Sequence, residues 1–256
     1  MFPHENSLAP VFLWRDGAPR PEQIGTGIYL KLAERSYLFT AGHVLDHASE
    51  GALCVPTREG VTPIAGWLAT NLLAPSQRRG DDRLDIGYVR FDDEHENERH
   101  PDLVHLSRGH VDLFEDIRPG EFFSIGGYPL TRGRHAFDTL SSEAYSYVGI
   151  SAEPDDYRRL GYDPRLHVLV RYHIKKGIFP DGERVTPPHP RGLSGGGIFR
   201  LSVSFLDDLV GEPRRLVASM HTFLKRENMF VGTRILVYLT NLSARYPHEV
   251  RAFVEA

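Results

Sequence analysis

The chain has 256 residues, and 30 Lys and Arg against 34 Asp and Glu give it a formal net charge of −4 at pH 7. No segment concentrates Lys and Arg among aromatic residues, as nucleic-acid-binding surfaces do, so we expect no nucleic-acid partner. The chain is long enough to bury a core without disulfides, and its single cysteine, Cys54, has no second cysteine to pair with.

The sequence around Cys54 and the apolar patterning also predict a location. Cys54 stands in the apolar stretch GALCVP, which favours a buried structural thiol over a reactive one. There is no N-terminal basic segment followed by an apolar one, and there is no uninterrupted apolar run of about 18 residues. We therefore expect a cytoplasmic protein in a reducing compartment, with no membrane partner.

Short apolar and aromatic runs, separated by Gly, Pro or Asp, recur along the chain and predict antiparallel β-structure. The first six are PVFLW, GTGIYLKL, SYLFTA, ALCVP, IAGWLA and DIGYVRF, and the second six are EFFSIGGY, YSYVGIS, LHVLVRYHI, GGIFRL, RLVASMHTF and MFVGTRI. Between the two groups lies the acidic run FDDEHENERHPD at 91–102, which we interpret as a solvated loop.

The C-terminal stretch LVYLTNLSARYPHEVRAFVEA has apolar residues at helical spacing and a break or restart at Pro247. The predicted fold is therefore all-β, with two six-stranded antiparallel β-barrels and a C-terminal helix. We assign 10–95 to the first barrel, 96–118 to a linker, 119–235 to the second barrel and 236–256 to the helical segment.

The glycine-rich stretch PPHPRGLSGGGIFRL at 187–201 contains one serine, Ser194. Glycines allow unusual dihedral angles and close approach of other groups, so the stretch is either a simple turn or the setting of a nucleophile whose neighbouring N–H groups face a reacting carbonyl.

A serine nucleophile needs a base and an orienting acid. Of the thirteen histidines, His43 ends the strand-like run RSYLFTAGH after two small residues, where a ring has room to act as a base. Asp85 opens the strand-like run LDIGYVRF, where a carboxylate is partly desolvated. Asp81 and Asp82 fit a hydrophilic loop better, and Asp46 fits a local turn.

These three segments resemble the chymotrypsin-like, or trypsin-like, serine peptidases. FTAGH at 39–43 is similar to the family's Thr-Ala-Ala-His element, DIGYV at 85–89 to its Asp-Ile-Ala-Leu-Leu strand, and GLSGGGIF at 192–199 to its Gly-Asp-Ser-Gly-Gly-Pro turn. The order His, Asp, Ser agrees as well, and the resemblance spans roughly residues 10–245.

The resemblance implies an endopeptidase fold with Ser194 as nucleophile, His43 as general base and acid, and Asp85 as orienting carboxylate. The backbone N–H groups of Gly192 and Ser194 would form the oxyanion hole. A polypeptide would be the substrate, and no cofactor or metal would be required.

The chain also departs from the family pattern. Leu193 replaces the usual Asp or Asn before the serine, Gly197 replaces a frequent Pro, and no Ile-Val-Gly-Gly activation site is present. Activation by N-terminal trimming is therefore not expected, whereas ordering of the oxyanion loop by a protein partner stays open.

Three other functions fit parts of the sequence. GLSGG also fits the nucleophile elbow of α/β-hydrolases, but no strand precedes it and no helix follows it. His43 and His47 have i,i+4 spacing but lack the His-Glu-x-x-His pattern of a zinc site. A catalytically silent barrel pair that binds peptides or proteins is the serious alternative, because fold does not determine function.

The resemblance also predicts the specificity pocket. Its walls would be PPHPRG, which contains His189, and ASMHTF at 218–223, which contains Ser219 and His221. No acid is present to pair with Lys or Arg, and two imidazoles could donate to a side-chain oxygen. We therefore expect Glu or Gln before the scissile bond, although His221 could equally be a satisfied histidine of a core strand.

Overall fold

A computed structural model describes residues 5–57, 60–92, 103–136, 139–172, 177–178, 184–185, 187–201 and 214–256. Most of the predicted acidic loop, and the start of the predicted linker, lie outside these residues. The described chain forms two antiparallel sheets followed by C-terminal helices.

The first sheet has seven strands in the order β5-β4-β1-β2-β3-β7-β6. Their bounds are β1 Leu8–Trp14, β2 Glu22–Leu32, β3 Arg35–Ala41, β4 Ala52–Thr57, β5 Gly60–Pro63, β6 Gly66–Thr70 and β7 Ile86–Phe91. Six of them are the six predicted runs. The seventh, β5, was missed because its four residues are exposed or half-exposed, and it begins with Gly60 and ends with Pro63.

Strands β2 and β3 are buried on both faces, which explains their nearly continuous apolar sequence. Tyr29 and Leu38 pack inside the curled sheet, whereas Ile28, Leu30 and Phe39 point the opposite way into a core shared with the C-terminal helices. This alternation follows from the period of two residues in a strand.

The second sheet is a closed barrel of six strands in the order β11-β12-β17-β16-β15-β8. Their bounds are β8 Phe122–Gly127, β11 Tyr145–Ser151, β12 His167–Arg171, β15 Gly197–Arg200, β16 Arg215–Leu224 and β17 Met229–Arg234. Two small antiparallel pairs lie outside the barrel, β9 Gly133–Ala136 with β10 Thr139–Ser142 and β13 Gly177–Ile178 with β14 Arg184–Val185. The predicted six-stranded second barrel is confirmed.

Four α-helices are present in the described residues: α1 Gly42–Asp46, α2 Pro154–Leu160, α3 Ile235–Ser243 and α4 Pro247–Glu255. The predicted C-terminal helix is confirmed, with the predicted restart at Pro247. Helix α3 packs on the first sheet, where the Tyr238 ring stacks on Phe39 at 5.1 Å and its hydroxyl donates to the Thr40 carbonyl at 2.7 Å.

Helix α2 was not predicted, although its sequence carries end signals. Glu153 and Asp156 form a reciprocal capping box, Pro154 occupies the first turn, and Gly161 closes the helix in the left-handed conformation. None of the helices in the described part of the chain has the length and apolar character needed to cross a bilayer.

Candidate active site

His43 and Asp85 are brought together by the pairing of two strands of the first sheet. His43 lies in α1 directly after β3, and Asp85 directly precedes β7, whose Ile86 pairs with Ala41. The Nδ1 atom of His43 lies 2.5 Å from Oδ2 of Asp85, and the backbone N–H of His43 donates to Oδ1 at 2.8 Å. The carboxylate therefore holds both the ring and the backbone of the histidine.

The Asp85 carboxylate is buried and ionised. The residue is only 4% exposed. Burial acts to raise the pKa of Asp85, but the hydrogen bond and the charge interaction with His43 outweigh it and hold the pKa below its usual value. Its φ of +43° is left-handed, a conformation that costs a non-glycine residue about 1–2 kcal/mol. Strain of this kind concentrates at functional sites.

The small residue before His43 makes room for Asp85. A Cβ atom on Gly42 would lie 3.0 Å from Oδ1 of Asp85 and 2.9 Å from the Ile86 carbonyl oxygen. The backbone N–H of Gly42 also donates to the Asp85 carbonyl at 2.7 Å. Glycine at this position lets β3 and the segment before β7 approach closely.

The alternative acids bind elsewhere. Arg79 donates to both oxygens of Asp46, at 2.8 and 3.1 Å, and to Asp82 at 2.9 Å. Asp81 lies in a short 3-10 turn next to them. Asp85 is thus the carboxylate that contacts His43.

Ser194 lies in a turn that only glycine-rich sequence can form. Gly192 has φ +96° and Gly195 has φ +88°, both left-handed. A Cβ atom on Gly195 would lie 2.0 Å from the Thr26 carbonyl oxygen, and one on Gly196 would lie 2.3 Å from the Gly126 carbonyl oxygen. The glycines therefore let the turn fit between β2 of the first sheet and β8 of the second.

Thr26 ties this turn to the first sheet. Its backbone N–H donates to the Ser194 carbonyl at 2.8 Å, and its hydroxyl donates to the Gly192 carbonyl at 2.9 Å and accepts the Tyr128 N–H at 3.0 Å. Sequence reasoning missed Thr26. The signal was its position between Gly25 and Gly27, since glycines inside a strand mark close approach of another backbone.

Two backbone N–H groups in the turn are unengaged. Among the described residues, no hydrogen bond uses the N–H of Gly192 or of Ser194, whereas Leu193, Gly195 and Gly196 all donate to carbonyls. The Leu193 side chain is fully buried in the core of the second barrel, in the same cluster as Phe123 and Ile125. Within the part of the chain that the structure describes, the turn is thus held on both sides and two of its N–H groups have no acceptor.

Ser194 and the His43–Asp85 pair both lie near a third residue, His221. The Ser194 hydroxyl lies 3.5 Å from the His221 carbonyl oxygen, and the charges of Asp85 and His43 both act on the His221 ring. Within the described part of the chain, no hydrogen bond joins Ser194 to the His43 ring. Such bonds are often long before substrate binds.

His221 itself is 4% exposed, in a bulge of β16. Its Nδ1 lies 2.9 Å from the Thr222 hydroxyl, and its Nε2 has no partner among the described residues. Burial is the main cause that lowers the pKa of His221 to about 4, so the ring is neutral near pH 7. The structure places this ring near Asp85 and His43.

The other two residues predicted to contact substrate differ in exposure. His189 is exposed, and its Nδ1 accepts the Arg191 N–H at 3.2 Å, so its Nε2 carries the proton when the ring is neutral. Ser219 is completely buried in β16, paired with Gly197 and Thr233. The roles of His189, Ser219 and His221 in substrate binding stay predictions.

The described residues form no candidate metal centre. In the described ranges, no group of three or more His, Cys, Asp or Glu side chains is arranged to hold a metal ion. His47 binds Glu50, with 2.6 Å between Nδ1 and Oε1. Cys54 is buried, and burial raises the pKa of its thiol.

No protein-family model matches the chain. No curated protein matches it either. Several solved structures are similar to the chain. Neuropsin, a serine protease expressed in the limbic system of mouse brain, is 15% identical with a TM-score of 0.57, over 95% of this chain and 96% of that one. Human heparin binding protein is 11% identical with a TM-score of 0.57, over 96% and 93%.

A third match is kallikrein-related peptidase 10, 12% identical with a TM-score of 0.53, over 94% of this chain and 96% of that one. These neighbours define a class of fold, that of the chymotrypsin-like serine proteases, and the chain has this fold. At such low identity the similarity establishes the fold and nothing finer.

Proposed function

We propose that the chain is a serine endopeptidase that hydrolyses peptide bonds through an acyl-enzyme. The observation that carries this proposal is the buried, ionised Asp85 bound to His43 Nδ1, beside a turn that presents Ser194 with two unengaged N–H groups. A nucleophile, a base, an orienting acid and oxyanion donors are the four parts that acyl transfer needs.

In the first half of the reaction, Ser194 Oγ attacks the carbonyl carbon of the substrate while its proton passes to Nε2 of His43. Asp85 holds Nδ1–H and stabilises the imidazolium without taking the proton. The oxyanion accepts hydrogen bonds from the N–H groups of Gly192 and Ser194. When this tetrahedral intermediate collapses, the C–N bond breaks, and His43 gives the proton to the leaving amine.

In the second half, His43 takes a proton from water, and the resulting hydroxide attacks the acyl carbon. Collapse of this second intermediate releases the carboxylic acid and returns the proton to Ser194. Every step uses side chains and backbone donors of this chain. We therefore expect chelator and reductant to leave the activity unchanged, and loss of activity in EDTA would contradict the mechanism.

A fluorophosphonate probe tests the proposal directly. An activated serine displaces fluoride from phosphorus and keeps the phosphonyl group, so rapid stoichiometric labelling of the native chain is expected, located at Ser194 by peptide mass spectrometry. Labelling should vanish in Ser194→Ala and after heat denaturation. Ser49→Ala, which removes an exposed hydroxyl, is the matched control and should label like the parent.

The silent binding module and the partner-activated protease predict other results. A silent module leaves the probe unreacted but still binds polypeptide, and a partner-activated protease reacts only when the partner is added. Equal labelling of the parent chain and Ser194→Ala would show that the probe reacts elsewhere and would remove Ser194 as the nucleophile.

A further inference from the structure

A cavity of about 370 Å³ lies outside the proposed catalytic residues. Its walls come from four places in the chain: residues 116–119 before β8, Ala152 and the start of α2, the loop 162–165, and Arg234 at the end of β17. None of Ser194, His43, Asp85 or His221 lines it. The volume falls within the range of small-molecule sites, roughly 300–1,000 Å³.

Arg234 is the distinctive residue of this cavity. It is only 8% exposed, and its Nη2 donates to the Glu115 carbonyl at 2.7 Å. Among the described residues, its Nε has no hydrogen-bond partner and its guanidinium forms no ion pair with a carboxylate. Since guanidinium stays charged at any physiological pH, burying it without a counter-ion is unfavourable. A buried, unpaired cation on a cavity wall indicates an anionic ligand.

The other charged groups at the cavity limit the charge of that ligand. Arg158 and Arg165 are exposed and already paired with Asp155 and Asp163. Exposed pairs of this kind contribute little. Asp116 is exposed at the same cavity and repels anions. A single negative charge, placed against Arg234, therefore fits better than a dianion.

The rest of the lining is apolar. Ile117, Ala152, Pro119, Pro154 and Pro164 contribute aliphatic surface, and the rings of Tyr157 and Tyr162 add aromatic surface. The Tyr157 hydroxyl oxygen accepts the Leu169 N–H at 2.9 Å. Such a lining favours an uncharged hydrocarbon body attached to the anion.

We propose that this cavity binds a small organic monocarboxylate, with its carboxylate on Arg234 and its apolar body against the prolines and tyrosines. A planar guanidinium matches a carboxylate in two parallel hydrogen bonds, which an ammonium group does not offer. The site is separate from the proposed catalytic residues and does not depend on the proposed function.

Titration calorimetry on the full chain tests this site with phenylacetate and hexanoate as probes. Both should bind saturably, and the neutral phenylacetamide and hexanamide should bind about tenfold more weakly or worse, because a hydrogen bond to a charged group is lost. Inorganic sulfate should bind no better than the amides, since it has no apolar body.

Arg234→Met should abolish carboxylate binding while keeping the fold, because an unpaired buried charge is replaced by an apolar side chain of similar length. Arg251→Met, which removes an exposed arginine of α4, should bind the probes like the parent chain. If Arg234→Met fails to fold, Ile117→Trp, which fills the cavity and keeps Arg234, should abolish binding instead. Absence of saturable binding, equal affinity for amides, tighter sulfate binding, or retained binding in these variants would overturn the proposal.

Discussion

The two halves of the candidate site are built in different ways. The His43–Asp85 pair belongs to one sheet: β3 and β7 pair side by side, and the carboxylate bonds both the ring and the backbone of His43. The Ser194 turn belongs to the second barrel, and its link to the first sheet is through Thr26. The proposed base and acid are thus fixed locally, whereas the position of the proposed nucleophile depends on the packing of one sheet against the other.

The largest expected effect comes from removing either side of this arrangement. Ser194→Ala or His43→Ala should lower turnover by on the order of a million-fold, and the double variant should be no worse, because the residues act as a unit. Turnover of casein and of a peptide library measures this. Ser49→Ala and His47→Ala are controls with exposed or half-exposed side chains. Normal cleavage by either single variant would refute the assignment.

The Asp85→Asn variant tests the pair within the first sheet alone. An amide in place of the carboxylate favours the wrong imidazole tautomer, so turnover should fall by about ten-thousand-fold. The structure of the Ser194 turn should stay the same as in the parent chain. Kinetics with the same substrates measure the effect, with Asp81→Asn and Asp82→Asn alongside. A larger loss in either of these would mean that Asp85 is not the catalytic acid.

His221 lies where the two halves meet, and its titration gives a stability effect. The pKa of its buried ring is about 4, against an ordinary value of 6.5. The unfolded chain therefore binds a proton that the folded chain excludes. The contribution of the neutral His221 ring to the free energy of unfolding is fully present above a pH of about 6.5. It is lost as the pH falls toward about 4, and the total loss is roughly 3 kcal/mol at most.

Urea unfolding between pH 4 and 8 measures this contribution. The parent chain should lose stability over that window faster than His221→Gln, in which the titrating group is absent. The pKa of Asp85 lies below its ordinary value, and thus below this pH window. His43 is present in both proteins. Neither group therefore accounts for a difference between the parent chain and His221→Gln. Parallel pH profiles for the two proteins would show that His221 is not excluded from protonation in the fold.

Thr26→Val tests the link between the sheets. The buried Gly192 carbonyl and Tyr128 N–H would each lose a partner, at a cost of about 1–3 kcal/mol. Probe labelling of Ser194 should slow, while the low-field proton resonance expected for the short His43–Asp85 hydrogen bond should persist. Thr240→Val, at an exposed position of α3, is the control. Loss of the resonance in Thr26→Val would show that the two halves are not independent.

The smallest expected effect concerns specificity. His221→Ala and His189→Ala should each weaken a preference for Glu or Gln before the scissile bond, while Ser194 stays reactive toward the probe. Profiling with a peptide library measures this preference. A profile dominated by Lys or Arg, or one unchanged in both variants, would show that other residues build the pocket.

The strands and the residues of the His43–Asp85 pair could be predicted from sequence because each depends on local pattern. Apolar runs between turn residues predict twelve of the strands. Asp85 is predicted as the acid because it opens a buried strand. The sequence pattern does not show how closely the paired segments of the backbone approach each other. That Gly42 makes room for a carboxylate, or that Asp85 has a positive φ, depends on the pairing of β3 with β7.

The features that sequence missed depend on contacts between distant segments. Thr26 and Ser194 are far apart in the chain, and the flanking glycines of Thr26 signal a close approach without naming its partner. The burial of His221 near Asp85 and His43 follows from the closing of the second barrel. Strand β5 was missed for a different reason, because a four-residue strand at the exposed edge of a sheet needs no apolar pattern.

Leu193 bears on when the proposed enzyme would become active. In a chain whose nucleophile turn is held by an apolar side chain, the shape of the turn is set by the same collapse that forms the barrel core. Competence would then arrive with folding itself, with no cleavage event to wait for.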